Sequence, residues 1–248
     1  MQTLKRILGG VRRTSEKYDM ISDGDRIAVG ISGGKDSLAL LAALAEMRRF
    51  YPHRYEIVAV TVDMGFDPPA DFSGIRKFCD GLGVEYHIVP TQIFDIVFRE
   101  RKEENPCSLC ARMRRGALYD AAKKLGCNKL ALGHHLDDAV NTFLMNLFFE
   151  GRIGCFSPVT VLDNGITLIR PMLDVKESDV LYFVSGTPLP ILKSPCPEDG
   201  HTERAEIGKL VKELERKHKG LRHRILLAME RGEVDGFFPD NMNTDCRR

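Results

Sequence analysis

The sequence contains no tryptophan and no long hydrophobic run. A membrane-spanning helix requires about 18 or more consecutive apolar residues, and no segment of this chain approaches that length. The N-terminal segment, Met1 to Tyr18, is charged throughout and lacks the apolar centre of a secretion signal. These absences argue against a membrane protein and against an exported one. We therefore expect a cytoplasmic protein, in a reducing compartment, that makes no contact with a membrane.

A strong excess of charge is also missing, because 36 lysines and arginines nearly balance 35 aspartates and glutamates. The net charge of +1 does not by itself indicate a polyanionic partner. The positive residues are nevertheless concentrated in two segments. The first contains Arg112, Arg114, Arg115, Lys123 and Lys124, and the second contains Lys209, Lys212, Arg216, Lys217, Lys219, Arg222 and Arg224. Each segment could neutralise the phosphates of a nucleic acid or form an ordinary solvated helix face beside nearby glutamates.

The seven cysteines do not indicate a disulfide framework, because their number is odd and they are spread over a long chain that we expect in a reducing compartment. We interpret Cys79, Cys127 and Cys155 as small buried hydrophobic residues and Cys246 as part of a polar C-terminal tail. The other three differ, since Cys107 and Cys110 form a Cys-x-x-Cys pair and Cys196 lies between two prolines.

Predicted strands and helices alternate along the first 150 residues. Short apolar runs rich in β-branched residues predict strands at residues 26–31, 56–63, 84–89 and 129–133, and apolar spacing predicts helices at 36–50, 71–82, 106–125 and 137–150. This alternation predicts an α/β fold with an open, mostly parallel twisted sheet and helices on both faces. The length of 248 residues suffices for one large domain of this class.

The pattern changes in the last hundred residues. Asp163-Asn164-Gly165 predicts a hairpin turn between strands at 159–162 and 166–170. Helices are predicted at 176–185, 202–218 and 221–231. We therefore expect an N-terminal helical lead-in at 1–25, a main domain at 26–232 with a helical C-terminal extension, and a tail at 233–248.

The segment Ser32-Gly33-Gly34-Lys35-Asp36-Ser37 lies between the first predicted strand and the first long helix. Glycines let a backbone approach an anion closely, and a helix start presents unpaired N–H groups with the positive end of the helix dipole. Neither a Walker motif nor a Gly-x-Gly-x-x-Gly motif fits the spacing, since three residues separate Gly30 from Gly34 and Asp36 follows the lysine. The segment predicts a phosphate-binding loop of a different kind.

Acidic and histidine side chains follow two other predicted strands. Asp63 ends the second strand, and Gly133-His134-His135-Leu136-Asp137-Asp138 follows the fourth. Ligands of open α/β sheets bind at the carboxyl ends of the strands, so we expect these groups near the phosphate loop. Carboxylates at this edge are suited to hold Mg²⁺ against phosphate oxygens. The spacing does not distinguish which of Asp137 and Asp138 faces the ligand.

Cys107 and Cys110 lie three residues apart at the start of a predicted helix. At this spacing they share one helix face, and a helix N-terminus stabilises thiolates. Cys196 is the natural third ligand for a metal centre. Four interpretations stay open: an iron–sulfur cluster held by three cysteines with one iron open to sulfide, a structural zinc site completed by His201, a redox-active pair, and inert buried cysteines.

The motifs SGGKDS, CSLCARMRRG and GHHLDD, in this order, resemble two nested families. The first motif is similar to the SGGxDS loop of the PP-loop ATP pyrophosphatases, which cleave ATP between the α and β phosphates. All three motifs, with the stretch from Cys107 to Arg152, closely resemble the tRNA 2-thiocytidine synthetase family over about residues 4–232. The resemblance implies the PP-loop fold, ATP and Mg²⁺, and a [4Fe-4S] cluster on Cys107, Cys110 and Cys196.

The resemblance also implies roles for individual residues. ATP and Mg²⁺ would be bound by Ser32, Gly33, Gly34, Lys35, Asp36, Ser37, Asp63, Gly133, His134, Asp137 and Asp138. The catalytic set would be Lys35, Asp36 and Asp63 at the nucleotide, with Cys107, Cys110 and Cys196 as cluster ligands.

The expected reaction is adenylation of a nucleobase carbonyl, with cytidine C2 in a tRNA as the expected target, followed by replacement of the oxygen with sulfur. The sulfur would come from a donor such as a cysteine desulfurase or free sulfide. The resemblance is also compatible with a homodimer. Three alternatives remain. They are sulfur insertion or removal on another thiolated base or small molecule, a zinc-stabilised PP-loop enzyme that adenylates its substrate for amine attack, and a non-enzymatic ATP-binding or sulfur-carrier module.

Overall fold

The computed structural model describes residues 3–101, 106–192 and 203–239. The strands in these ranges are β1 (Asp25–Gly30), β2 (Tyr55–Asp63), β3 (Glu85–Pro90), β4 (Lys129–Ala131), β5 (Val159–Val161) and β6 (Thr167–Ile169). The α-helices are α1 (Leu4–Lys17), α2 (Lys35–Met47), α3 (Ser73–Gly81), α4 (Pro106–Lys124), α5 (Leu136–Phe149), α6 (Glu177–Ser185), α7 (Glu203–Lys217) and α8 (Leu221–Arg231). No helix within these ranges is long and apolar enough to cross a membrane.

The strands form one sheet in the order β3-β2-β1-β4-β6-β5. Neighbouring strands are parallel except for β5, which runs antiparallel to β6. The predicted open, mostly parallel sheet is therefore confirmed. The predicted hairpin supplies its last two strands, and because β6 pairs with β4, the hairpin extends the main sheet instead of forming a separate unit.

Alternate residues of the strands enter two separate cores, one on each face of the sheet. In β1, Ile27 and Val29 belong to the core that includes buried residues of α1, α2 and α5. Ala28, between them, belongs to the core that includes Val58 of β2 and Leu118 of α4. Successive side chains of a strand point to opposite faces, so helices cover both faces as predicted. Burial on both faces explains why β1 and β2 are continuous apolar runs.

The order of the strands opens a crevice at the carboxyl ends of β1 and β4. From β1 the chain adds β2 and β3 on one side, whereas β4 and β6 lie on the other side. Such a switch in strand order is where ligands bind in open α/β sheets. The loop after β1 carries residues 32–34 and the loop after β4 carries residues 132–135. Both predicted ligand-binding motifs therefore border this crevice.

Some elements differ from the sequence prediction. Helix α2 ends at Met47 and strand β4 at Ala131, both earlier than predicted. A π-helical turn occupies Asp95–Glu100, where the apolar pattern predicts no element. A short 3₁₀ turn at Val234–Gly236 lies within the predicted tail, and the next residue, Phe237, is buried in the core. The tail therefore begins with packed structure.

Candidate active site

The phosphate loop joins β1 to α2 through two glycines with different roles. Gly33 has a φ of +82°, which glycine adopts without steric penalty, and Gly34 is the N-cap of α2. The Ser37 hydroxyl donates to the Gly34 carbonyl at 2.9 Å and accepts the Ser32 N–H at 3.2 Å. The N–H groups of the first turn of a helix have no intrahelical partners. The start of α2 therefore has the donors and the helix dipole that an anion site requires.

Lys35 stands at the start of α2 between two carboxylates. Its Nζ is 3.0 Å from both oxygens of Asp36 and 3.0 Å from Oε1 of Glu177. Burial alone would lower the pKa of Lys35, but Asp36 and Glu177 outweigh that effect and the pKa is raised. The ammonium group therefore stays charged at neutral pH, and its partial exposure leaves it accessible to a phosphate.

The loop after β4 packs directly onto the phosphate loop. Gly133 lies against the backbone of Asp36 and Ser37. His135 is buried, with its Nε2 3.6 Å from Oδ1 of Asp36. Asp138 accepts the His135 N–H at 3.0 Å and so caps α5. These contacts connect the start of α5 to the start of α2.

Asp137 and Asp138 have different surroundings. Asp137 is 8% exposed, accepts the N–H of Glu177 at 2.8 Å and forms an ion pair with Arg222 of α8 at 2.5 Å. Asp138 pairs with Arg204 of α7 at 3.2 Å and is the more exposed of the two. Asp137 therefore joins α5 to α6 and α8, and Asp138 is the more accessible candidate for a nucleotide or metal contact.

Asp63 is the last residue of β2 and lies beside the end of β1 at the same edge of the sheet. Its Oδ1 accepts the N–H of Gly65 at 3.0 Å, and its carbonyl accepts the N–H of Thr91. Within the described ranges it forms no hydrogen bond or ion pair with the phosphate loop. Its role as a Mg²⁺ ligand stays a prediction.

The cysteine pair lies on the first turn of α4, which begins at Pro106. Cys107 is exposed and Cys110 half-buried. Helix α4 leads from the carboxyl end of β3 back to the amino end of β4, so it begins at the same edge of the sheet as the phosphate loop. Cys196 and His201 lie outside the described residues. Among the residues that are described, no three metal-ligating side chains come together.

Two polar side chains lie beside the crevice, at the ends of β4 and β6, and both contact Phe156. Arg170 follows β6, is 8% exposed and packs over the ring of Phe156 at 4.9 Å. The ring of His134 lies 4.9 Å from the same phenylalanine ring. Burial lowers the pKa of Arg170 to about 10. Burial, together with the charge of Arg170, lowers the pKa of His134 to about 4, so this imidazole is neutral at pH 7.

Comparison with known proteins identifies the family. Residues 10–214 match the PP-loop domain family. The chain is 42% identical to the tRNA-cytidine(32) 2-sulfurtransferase of Geobacter sulfurreducens over 229 residues, which cover 91% of this chain and 89% of that relative. It is 40% identical to the protein of the same name from Pelobacter propionicus, covering 91% of this chain and 85% of the relative. The chain belongs to the tRNA-cytidine(32) 2-sulfurtransferase family. The resemblance predicted from the three motifs is confirmed.

Solved structures agree with the fold of this sulfurtransferase family member. The U34-tRNA thiolase NcsA from Methanococcus maripaludis, solved with its [4Fe-4S] cluster, superposes with a TM-score of 0.75 at 28% identity. The match covers 92% of this chain and 79% of NcsA. The NH₃-dependent NAD synthetase from Campylobacter jejuni superposes with a TM-score of 0.51 at 17% identity, covering 97% of this chain and 99% of that protein. At this low identity the second likeness shows the shared fold alone.

Three residues of the candidate site were not predicted from the sequence. Glu177 and Arg204 are partners of motif residues, and Arg170 is a separate buried group. All three lie far from the motifs in sequence, and no local pattern links them to Lys35, Asp138 or His134. His135 belongs to the GHHLDD motif, which the sequence predicts near the phosphate loop, and it contacts Asp36 there.

The predicted basic segments are mostly solvent-facing in the structure of this family member. The exposed side chains are Arg112, Arg114, Arg115, Lys123 and Lys124 on α4, and Lys209, Lys212, Arg216, Lys217, Lys219 and Arg224 in the C-terminal region. Arg222 is an exception, because its guanidinium is mostly buried between Asp137 and Glu215. Arg222 therefore stabilises the fold and does not contribute to a basic surface.

Proposed function

We propose that this chain is an ATP-dependent sulfurtransferase that replaces the C2 oxygen of a cytidine in tRNA with sulfur. The observation that carries the proposal is the placement of a PP-loop anion site and a Cys-x-x-Cys pair at one edge of one sheet. The names of the curated relatives, at about 40% identity over nearly the whole chain, support the same activity.

The residues after β1 would bind the phosphates of ATP. Backbone N–H groups at Gly33 and Gly34 and the hydroxyls of Ser32 and Ser37 supply donors, and Lys35 supplies a positive charge. Mg²⁺ would neutralise the remaining phosphate charge, with Asp36, Asp63 and Asp138 as the carboxylates suited to it. Asp137 would act indirectly, because it is the more buried of the two neighbouring aspartates and its oxygens bind residues of α6 and α8.

The first chemical step would activate the base. The cytidine O2 attacks the α-phosphorus of ATP, an O–P bond forms, and the bond to the β-phosphate breaks with release of pyrophosphate. A sulfur nucleophile then adds to C2, and AMP leaves with the former carbonyl oxygen. The protein contributes mainly by holding the reactants in position and by stabilising charge on the phosphates.

Two of the residues that would hold the cluster fit an iron–sulfur centre. Cys107 and Cys110 are thiols on one helix turn, the ligand type and spacing that such clusters use. Cys196 would be the third ligand. When bound by three cysteines, a [4Fe-4S] cluster supplies an iron without a protein ligand, at which sulfide can be held for transfer. The thiolase NcsA, which was solved with a [4Fe-4S] cluster, supports this assignment.

Contacts on both sides of residues 193–202 support a link between Cys196 and the ATP site. Leu192 donates its N–H to the carbonyl of Gly33 at 2.9 Å. Arg204 pairs with Asp138 at 3.2 Å. The segment that carries Cys196 is therefore flanked by contacts to both nucleotide motifs.

The remaining partners follow from this activity. The exposed basic residues of α4 lie on the helix that carries the cysteine pair and would bind tRNA phosphates. A cysteine desulfurase or free sulfide would supply the sulfur, in the cytoplasm where tRNA is found. A homodimer is the assembly we propose, and sedimentation velocity would test it.

The test is metal analysis of anaerobically purified protein together with mass spectrometry of tRNA nucleosides after reaction with ATP and sulfide. We expect about four irons per chain, a broad visible absorbance, pyrophosphate release and 2-thiocytidine. Cys196→Ala should lose the absorbance and the thiolated product. Cys127→Ala, at a buried cysteine just beyond the C-terminal end of α4, should keep both. About one zinc per chain with no visible absorbance would overturn the cluster and favour the zinc-stabilised alternative.

A further inference from the structure

Within the described part of the chain, Arg170 is a buried arginine without a carboxylate partner. It is 8% exposed, and no aspartate or glutamate among the described residues forms an ion pair with it. The ionisable groups that interact with it are Tyr119, Cys155, Arg115 and His134, none of which is a carboxylate. Buried charges in folded proteins are normally paired. The lack of an anion at this position therefore requires an explanation.

The hydrogen bonds of Arg170 are also incomplete. Its Nη1 donates to the carbonyl of Ser157, and its guanidinium plane covers the ring of Phe156. The Nε is buried and has no hydrogen-bond partner in the described part of the chain. An arginine presents its donors in a fixed fork that matches carboxylate and phosphate oxygens. The protein uses Nη1 of this fork, whereas the hydrogen bond of the buried Nε is not made within the described residues.

Arg170 follows the carboxyl end of β6, and ligands of open α/β sheets bind at the carboxyl ends of the strands. In the strand register, Ile169 pairs with Ala131, and Ala131 pairs with Val29. Arg170 therefore lies level with Gly30, the last residue of β1 before the phosphate loop. With neighbouring strands about 4.8 Å apart, the two strand ends are separated by about 10 Å. The buried Nδ1 of His134 at the intervening strand also lacks a partner among the described residues.

We propose that Arg170 binds a phosphate of the substrate, either the α-phosphate of the nucleotide or a backbone phosphate of the RNA beside the target base. The proposal rests on the function proposed above, because that function brings both phosphates to this edge. It makes Arg170 a binding residue outside the three motifs. A phosphate at this position would provide the missing anion and accept the unused hydrogen bonds.

The competing interpretation is that Arg170 is structural, holding the Ser157 carbonyl and covering Phe156. The two interpretations differ in the effect of Arg170→Met, which removes the charge and the hydrogen-bond donors but keeps an unbranched apolar side chain. If Arg170 binds a phosphate, its unpaired charge destabilises the ligand-free protein. The variant should then melt at the same temperature as the ligand-free wild type or at a higher one. If Arg170 is structural, the variant should melt at a lower temperature and bind ligands as before.

Binding measurements distinguish the two sources of the phosphate. We would titrate holoenzyme with AMP, adenosine and an unmodified tRNA transcript. If the nucleotide supplies the phosphate, Arg170→Met should weaken AMP binding at least tenfold and leave adenosine binding unchanged. If the RNA supplies it, tRNA binding should weaken and the slope of log affinity against log salt should fall by about one. Arg170→Lys keeps the charge without the fork and should restore part of the lost affinity.

Arg26→Met is the matched control. Arg26 is ion-paired with Glu56 and Glu85 at the opposite edge of the sheet, so its loss should change neither AMP nor tRNA affinity. Unchanged affinity for both AMP and tRNA in folded Arg170→Met would overturn the inference. Failure of the proposed function would look different, since wild-type protein would then bind AMP and tRNA but form no 2-thiocytidine.

Discussion

Gly133, in the loop after β4, lies directly against the backbone of Asp36 at the start of α2. A Cβ built on Gly133 would lie 3.0 Å from both the carbonyl carbon and the carbonyl oxygen of Asp36, and 3.1 Å from the nitrogen of Ser37. These are backbone atoms of the phosphate loop, so they cannot move aside as the end of a flexible side chain could. A side chain at residue 133 would therefore displace the loop itself.

Gly133→Ala should weaken ATP binding by about tenfold to a hundredfold, because small displacements of a binding loop have large effects on its ligand. We also expect a stability loss of about 1–3 kcal/mol from the forced backbone shift. Calorimetric titration and thermal unfolding measure the two effects. Gly81→Ala is the control, since an added Cβ at the end of α3 meets no atom within 4 Å. Unaltered ATP affinity in Gly133→Ala would contradict the prediction.

Lys35→Met should reduce pyrophosphate release by about a hundredfold to a thousandfold, the effect typical of removing one preorganised charge from a reacting oxyanion. The physical reason is that Asp36 and Glu177 hold the ammonium group in the crevice at 3.0 Å contacts. A pyrophosphate assay with saturating tRNA measures the rate. Lys77→Met, at an exposed lysine of α3, should have the wild-type rate. A Lys35→Met enzyme within threefold of wild type would remove Lys35 from the proposed phosphate site.

The ion pair between Asp137 and Arg222 should be important for stability. Both side chains are mostly buried, and the pair joins the start of α5 to α8. Removing one partner leaves a buried unpaired charge, so Asp137→Asn or Arg222→Met should each cost about 3–5 kcal/mol. The double variant should cost less than the sum, with a coupling energy of about 1–3 kcal/mol. Urea unfolding of the four proteins measures the cycle. Strictly additive costs would mean that the two residues act independently.

The sequence predicts the parts of this site that depend on local order. Glycines at 33 and 34 before a helix, and cysteines at 107 and 110 on a helix start, are local signals, and the described residues have both helix starts at the predicted positions. The alternation of strands and helices likewise predicts the parallel sheet. These features could be found because each follows from neighbouring residues and from elementary backbone geometry.

The partners of the motif residues could not be found in the same way. Glu177 reaches Lys35, and Arg204 reaches Asp138, only because α6 and α7 pack beside the crevice. Arg222 belongs to a basic segment in the sequence, yet it is an internal ion-pair partner in the fold. Which distant elements become neighbours depends on tertiary packing, and a local pattern of charges does not contain that information.

His134 provides a pH test of its surroundings, which include Phe156 and the charge of Arg170. Burial and the nearby guanidinium lower the pKa of His134 to about 4 in the folded protein, against 6.5 when it is exposed. The folded state therefore favours the neutral imidazole. Below pH 6.5 the unfolded chain takes up a proton that the folded chain does not, so the free energy of unfolding falls as the pH decreases from 6.5 to 4. Above pH 6.5 this contribution is constant.

His134→Asn should flatten that part of the pH profile, because the residue that titrates differently in the two states is gone. Between pH 6 and 5, the wild type should lose up to about 1.4 kcal/mol per pH unit more than the variant. Urea unfolding at several pH values measures the slope for each protein. The difference between the two slopes cancels the contribution of the carboxylates, which titrate in both proteins. Parallel profiles for wild type and His134→Asn would show that His134 is not held neutral by its surroundings, and that the charge of Arg170 does not act on it.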